Sequence, residues 1–432
     1  MLPARHAQPL LAPGTWHLGL ALSGTETQDL RRLLRRCRMS LTAIHDPSSP
    51  ALLQLLLPLA LHSSAVLEGL LSLSTNTYPR SPEQLRRQDA ALGQLMAEIA
   101  ATPVGDAKPF DPTRAQRIMA SSLLLANFSL SLCDTTWTSH IHGMIGIARG
   151  TSRDALLHDA TGRFLLAHCA VSDISAMSVG LRRLSHKCWL SWMMPRAPRS
   201  PDPHFTSIEI TLGYPESLLD IIAQVAELAD DSALCTGMSS IDVLSPVSAL
   251  SSGTTTPSLG TTRELELALY RWTPPSLPTA MSSFQKLALR AAWGIMRRTA
   301  LLYLWRGQGF HSNVLMPLPG ELAIGSQALV VQVLSDLQVT VDICRSHRLS
   351  IASTMMWPLA VVGVECTNDP TPARQLEIAD LLMALVELFQ MHQARHLLVA
   401  LERLWERPSP YPSDFLSLQL VCNDMDLCIP LF

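Results

Sequence analysis

Few residues in this sequence have the types and spacing that chemistry needs. Five arginines, Arg31, Arg32, Arg35, Arg36 and Arg38, crowd the string Leu30-Arg31-Arg32-Leu33-Leu34-Arg35-Arg36-Cys37-Arg38. Guanidinium groups at that density bind anions, so the string reads as a nuclear-import patch or a weak, non-specific contact with DNA phosphates. The plainer reading is the solvated face of a short helix, which gains weight because the chain uses 30 arginines against three lysines. His392 and His396 stand at i, i+4, a spacing that suits zinc on one helix face, but no acidic or cysteine ligand accompanies them. His140 and His142 are two apart and point to different faces of a helix. Asp230-Asp231 is the nearest approach to the carboxylate cluster with which a terpene synthase holds magnesium, and no third acid follows it.

The signatures of nucleotide binding and nucleophilic catalysis are missing. Gly143, Gly146 and Gly150 have the spacing of neither a dinucleotide nor a phosphate-loop fingerprint. On a helix each glycine costs about 1 kcal/mol relative to alanine, so the row predicts a close helix–helix contact. Ser283-Phe284-Gln285-Lys286 fits S-x-x-K without its companion motifs, and neither G-x-S-x-G nor H-E-x-x-H occurs. These residues imply no catalytic group, no metal site and no cofactor. The nine cysteines are odd in number, form no C-x-x-C pair and mostly lie in apolar helical patterns, which reads as small hydrophobes in a reducing intracellular compartment. Asn127-Phe128-Ser129 sits inside an apolar run and reads as a chance glycosylation match.

The elements that must position these groups are helical. With 47% hydrophobic and 16% charged residues, the chain is too apolar to be disordered over most of its length. A net charge of −3 argues against a whole-chain electrostatic grip on nucleic acid. Its 432 residues exceed the roughly 250–300 that one core supports, so two sections or one extended array is expected. Apolar residues recur at helical spacing over 51–75, where Leu52, Leu55, Leu56 and Leu59 precede Val66, Leu67, Leu70 and Leu71. Asp111 is placed to cap the next helix, with Pro112 in its first turn. Further helices are predicted over 137–149, 164–183, 218–228, 284–303, 326–342 and 374–404. Neither strand alternation nor a fixed-length repeat occurs, and the fold class is all-α, a multi-helix array.

Prolines break the pattern over 195–206, and the Ser/Thr/Pro-rich stretch 245–262 reads as a flexible loop. The expected organisation is a mobile N-terminal region 1–50 carrying the basic segment 30–38, a first helical section 51–244, that loop, a second section 263–407 and a tail 408–432. The first twenty residues lack the pattern of a secretion signal. No membrane span is expected: in the most suspicious stretch, 52–73, the longest apolar run is seven residues and includes Pro58, so it reads as a core helix.

The most specific string is Met356-Trp357-Pro358-Leu359-Ala360-Val361-Val362-Gly363-Val364-Glu365-Cys366, followed by a helix and then Leu397-Leu398-Val399-Ala400-Leu401-Glu402-Arg403-Leu404-Trp405-Glu406-Arg407. It resembles the C-terminal signature of the fungal-specific transcription factor domain, the helical effector region behind binuclear zinc-cluster DNA-binding modules. Other segments agree in order. Leu57-Pro58-Leu59-Ala60 with Ser63-Ser64-Ala65-Val66-Leu67 looks like the family's opening helix pair, and Trp137-Thr138-Ser139-His140-Ile141-His142-Gly143 resembles its W-x-x-H-apolar-x-G element. Leu212-Gly213-Tyr214-Pro215-Glu216 and Ala300-Leu301-Leu302-Tyr303-Leu304-Trp305 resemble later helices. The likeness spans residues 51–407.

On physical grounds Trp137, Trp357 and Trp405 are apolar anchors at helix crossings, and Glu365 is a buried or half-buried carboxylate that needs a donor, with Arg374 and Arg403 as candidates. His140, Gly143, Trp357, Pro358, Gly363 and Glu365 are then fold markers. The resemblance implies a nuclear transcription regulator of secondary-metabolite genes, and a small-molecule inducer. The sequence departs from the family in one respect: it has no C-x-x-C-x6-C array for a zinc cluster, so a DNA-binding transcription factor or co-regulator is the expected partner. Two alternatives stand beside it. A helical small-molecule sensor predicts a closed apolar cavity of several hundred Å³, and a terpenoid-type enzyme predicts acids converging on one cavity.

Overall fold

The computed structural model describes residues 22–40, 55–74, 81–101, 110–132, 135–180, 185–194, 213–235, 259–279, 281–307, 325–367, 372–406 and 415–431. Among them the chain is an all-α array with one two-stranded antiparallel sheet. The first half holds α1 (Gly24–Ser40), α2 (Leu57–Ala60), α3 (Ser64–Ser72), α4 (Pro82–Ala100), α5 (Pro112–Leu132), α6 (Trp137–Arg149), α7 (Arg153–His158), α8 (Ala160–Ser172) and strand β1 (Ser178–Gly180). The second holds α9 (Glu216–Cys235), α10 (Leu259–Arg271), α11 (Ser283–Gly307), α12 (Ser326–His347), α13 (Met356–Glu365), α14 (Ala373–Phe389), α15 (Gln393–Glu406), α16 (Phe415–Asp424) and β2 (Cys428–Pro430).

Local sequence chemistry sets the helix starts. Asp111 accepts from the Arg114 amide at 2.9 Å, the cap expected of it. Ser81 and Gln84 form a reciprocal capping box ahead of α4, with Pro82 in its first turn. The stretch 52–73, read on its pattern as a core helix, holds the opening helix pair that the resemblance implies: the Ser63 hydroxyl accepts from the Val66 amide and starts α3 after the short α2. Gln390, at φ 57°, likewise splits the helix expected over 374–404 into α14 and α15.

Several boundaries differ from the pattern reading. The helix expected over 164–183 ends at Ser172 and gives way to a 3₁₀ turn and β1. Ser178, Val179 and Gly180 pair with Pro430, Ile429 and Cys428, so the sheet is made by segments far apart in sequence and too short to show alternation. Within the expected tail 408–432 the described residues 415–431 pack on the core, where Leu418, Val421, Cys422, Ile429 and Leu431 are buried. The loop expected over 245–262 is helical from Leu259, where α10 begins, and Thr262 is buried; its residues 245–258, like 195–206, lie outside the described residues. Within the region expected to be loose, α1 is a formed helix whose Leu30 and Leu33 are buried and which packs on α3.

One continuous core runs from Leu30 to Leu431, so the hydrophobic interior does not divide at the loop. By length and composition α12 could cross a membrane. Its Leu329, Val330, Val333, Leu334, Leu337 and Val341 are buried, and it packs on α11, α13 and α14, which makes it a core helix here.

Candidate functional site

All ten residues of α13 are buried, which makes it the centre of the second half, enclosed by α11, α12, α14, α15 and α16. A helix apolar all round can only exist inside. Trp357 is fully buried, with its ring centroid 6.0 Å from that of Tyr303, whose ring meets Phe415 edge-on at 5.1 Å. Pro358 lies in the first turn of α13, where a missing N–H removes no helical hydrogen bond.

Gly363 is fixed by sterics. A Cβ there would stand 2.7 Å from both Leu401 methyls, so α13 and α15 approach more closely than any side chain permits. The Gly363 carbonyl accepts from Trp405 Nε1 at 2.9 Å, which locks the same crossing. Glu365, at the end of α13, accepts two bonds from Arg306, at 2.6 and 2.7 Å, with its side chain 1% exposed against 21% for Arg306. The expected donors, Arg374 and Arg403, are not the partners: Arg374 donates to Gln327, and Arg403 is exposed on α15. Arg306 directly follows the Ala300–Trp305 motif on α11, so the pair was reachable only by knowing which helix faces α13.

The other tryptophans stitch distant segments in the same way. Trp137 Nε1 donates to the Cys428 carbonyl at 3.3 Å, Trp293 Nε1 to Gly213 at 2.7 Å and Trp305 Nε1 to Glu266 at 3.1 Å. Tyr214 donates to the Thr354 carbonyl at 2.7 Å, and Gly213 takes a φ of 73°. The C-terminal strand joins the two halves: Leu431 gives its N–H to Met177 and takes the Trp357 N–H at 3.0 Å, while Cys428 holds Trp137.

His140 is half-buried on α6, away from the α13 cluster. Gly143 and Gly146 face open space, so the close helix contact expected there is absent; only Gly150 is tight, with the Phe110 ring 3.0 Å from a Cβ position. His142 meets the His186 ring at 5.3 Å beside a cleft lined by Trp137, Asp173, Ser175, Asp230 and Gln419. The cleft holds about 80 Å³, well below the roughly 300–1,000 Å³ of small-molecule sites, and its lining mixes polar groups with Trp137, Ile141 and Ile174. Asp173 accepts from the Ser185 hydroxyl at 3.2 Å and from the His186 and Cys188 amides at 2.9 Å each, so its carboxylate ties down that loop.

Among the described residues no three His, Cys, Asp or Glu side chains gather to hold an ion, and His392 precedes α15 and so does not share a helix face with His396. Burial pushes the thiols of Cys344 and Cys422 up to about 11 and about 12, and those of Cys169 and Cys188 further. Such thiols are inert packing groups. Burial also pulls His168, whose ring meets Phe164 edge-on at 5.3 Å, down to about 4.

Of the arginine patch, Arg31 and Arg32 are exposed on α1, and Arg32 pairs with Asp29 at 3.3 Å. The side chains of Arg35, Arg36 and Arg38 lie outside the described residues. The opposite side of α1 is held to the body by Leu30, Leu33 and Arg87 of α4, which lies 3.7 Å from Glu26, 3.8 Å from Asp29 and 3.2 Å from Glu68.

The buried carboxylates and indoles of this mostly helical body fasten its helices together. A profile of the fungal specific transcription factor domain matches residues 35–429, and the chain belongs to that family, one of transcription regulators and generally non-enzymatic. No curated protein and no solved structure matches the chain.

Proposed function

We propose that this chain is a nuclear transcription regulator that acts as a non-catalytic helical platform, reaches promoters through a DNA-binding transcription factor or co-regulator, and controls a fungal secondary-metabolite gene cluster. The observation that carries the reading is the use made of the family's signature residues. Trp137, Trp357, Gly363, Glu365 and Trp405 are packed or hydrogen-bonded to other helices, so they hold a shape and leave the surface to do the signalling.

Arg31, Arg32, Arg35, Arg36 and Arg38 serve as the import patch, or as a non-specific contact with DNA once a partner has placed the chain there. Of these, Arg31 and Arg32 are exposed on α1. Two experiments test the proposal. Fusing the chain to a heterologous DNA-binding domain should change reporter output, and deleting the gene should change transcripts of one contiguous gene cluster; no change in either overturns the regulator reading. Replacing the five arginines by alanine should lower nuclear accumulation of a tagged chain, and unaltered imaging removes the import role.

A further inference from the structure

Helix α11 holds five cations, Lys286, Arg290, Arg297, Arg298 and Arg306, and no acid in its 25 residues. Three of them are engaged. Lys286 donates to the Thr279 carbonyl at 3.2 Å, Arg298 pairs with Asp336 of α12 at 2.7 Å, and Arg306 is bound by Glu365. Arg290 and Arg297 have no ion pair among the described residues. The elements packed around them supply no acid at this point. Asp342, the other carboxylate of α12, pairs with Arg345 at 3.2 Å, and Glu266 of α10 takes Arg263 and Trp305. Glu264 lies toward the Trp305 end of α10, and the stretch 272–282 is uncharged. Arg297 is half-buried, and burial first, then Arg298 beside it, hold its guanidinium below the usual range, while Tyr270 of α10 acts in the other direction. A cation taken partway out of water loses hydration that only an opposite charge replaces, and the fold brings none.

Gly294 stands between these groups. Arg290 lies four residues before it, Arg297 three after and Arg298 four after, the spacings that bring side chains of one helix face together. The Arg298 guanidinium already reaches over the glycine: Nη1 lies 3.4 Å from where a Cβ would stand, and the three nearest atoms all belong to that group. The bare backbone is thus a shallow floor with guanidinium groups around it. We propose that this floor binds a phosphate group carried by a small molecule, with Arg290 and Arg297 donating to its oxygens and Arg298, fixed by Asp336, forming a third wall. Guanidinium forks match the oxygens of a phosphate, and two free forks suit a multiply charged anion better than a single carboxylate does. Arg290 and Arg297 are seven residues, about 10 Å, apart along the axis, a span that one pyrophosphate between inward-leaning side chains fills. A nucleic-acid duplex instead needs cations along a longer track. The patch gives out too soon for that, since the exposed residues nearer the start of α11 include Phe284 and Leu287, 49% and 53% exposed.

Isothermal titration of the purified full chain with pyrophosphate, at one fixed ionic strength so that screening is equal in every arm, tests this independently of any role in transcription. The wild type should bind one pyrophosphate saturably, and inorganic phosphate more weakly at the same site. Arg290→Gln/Arg297→Gln should lower the pyrophosphate affinity at least about tenfold with unchanged circular dichroism. Arg31→Gln/Arg32→Gln, which removes equal charge elsewhere, should bind like wild type. Gly294→Glu, a second variant, sets a carboxylate on the floor where the flexible Arg298 tip is the nearest neighbour, and should abolish binding while the helices stay formed. A wild type with no saturable pyrophosphate binding overturns the proposal, as does a double variant that binds like wild type. Binding confined to a polyglutamate peptide or to duplex DNA in parallel titrations overturns it as well.

Discussion

Gly363→Ala tests the crossing of α13 and α15. The added methyl would lie 2.7 Å from both Leu401 methyls and 3.3 Å from Leu401 Cγ, and Leu401 is fully buried, so it has no open space to swing into. Overpacking of this kind costs about 1–3 kcal/mol. Separating the helices also strains the Trp405 Nε1 bond to the Gly363 carbonyl, worth about 1 kcal/mol. Against this, alanine favours the helix by about 1 kcal/mol over glycine. The sum is a net destabilisation of about 1–3 kcal/mol, read as a lower denaturation midpoint in urea. The decisive comparison is a double-mutant cycle. Leu401→Ala alone leaves a cavity and costs about 2–5 kcal/mol. In the Gly363→Ala/Leu401→Ala variant the new methyl faces that cavity, so the pair should be less destabilised than the sum by at least about 1 kcal/mol. A Gly363→Ala variant as stable as wild type, or strictly additive effects, refutes the steric account.

Glu365→Gln leaves Arg306 facing a neutral amide and should cost about 2–4 kcal/mol, discounted because Arg306 is partly exposed, while Glu365→Met/Arg306→Met should recover most of it in the same denaturation assay. His168 is neutral in the fold, held down to about 4 by burial, whereas the unfolded chain binds its proton near 6.5. Its contribution is complete above pH 6.5 and is lost as pH falls toward 4, at most about 3 kcal/mol, so His168→Gln should show a smaller drop in melting temperature between pH 7 and pH 4.5 than wild type does. Arg87→Met removes the cation between α1 and α4, and should raise hydrogen exchange in Gly24–Ser40 while leaving Pro112–Leu132 protected. Truncation after Leu427 removes the acceptors of Trp137 Nε1 and of the Trp357 amide together with buried Ile429 and Leu431, and should lower the melting temperature more than any single substitution above.

How much of this was legible in the sequence depends on the range of each interaction. Local rules located what local forces make: the Asp111 cap, the helical period of α5, α11 and α12, and the burial expected of Trp357 all follow from residues within a turn or two. The resemblance located Gly363 and Trp405 as fold markers but gave no reason for them, because the reason is Leu401 on another helix. The same limit made Arg374 and Arg403 the candidates for Glu365: both are nearer in sequence than Arg306, which lies 59 residues away on a helix that packs against α13. The C-terminal strand was invisible for the related reason that three residues show no period, and their pairing partners lie some 250 positions earlier. Glycines 143 and 146 mislead in the opposite sense, since a spacing that permits close packing does not supply a neighbour.

The fate of the signature residues constrains where regulation can act. Buried polar groups are mostly paired, and for these signature residues the pairing is internal: Glu365 with Arg306, Glu266 with Trp305, Trp405 with Gly363 and Tyr214 with Thr354, whereas Trp357 Nε1 is buried without a hydrogen-bond partner. A group so engaged cannot also serve an incoming partner without breaking its present bond, which costs about 1–3 kcal/mol per orphaned group and more for a charge. Recognition therefore falls to surfaces whose chemistry is not already committed inside the fold. The exposed apolar side chains of α4 qualify, and Arg87 ties that helix to α1 through Glu26 and Asp29. If a partner shifts α4, α1 feels it through that contact. Arg87→Met should then uncouple the two, so that a partner bound on α4 no longer alters the exchange protection of Gly24–Ser40.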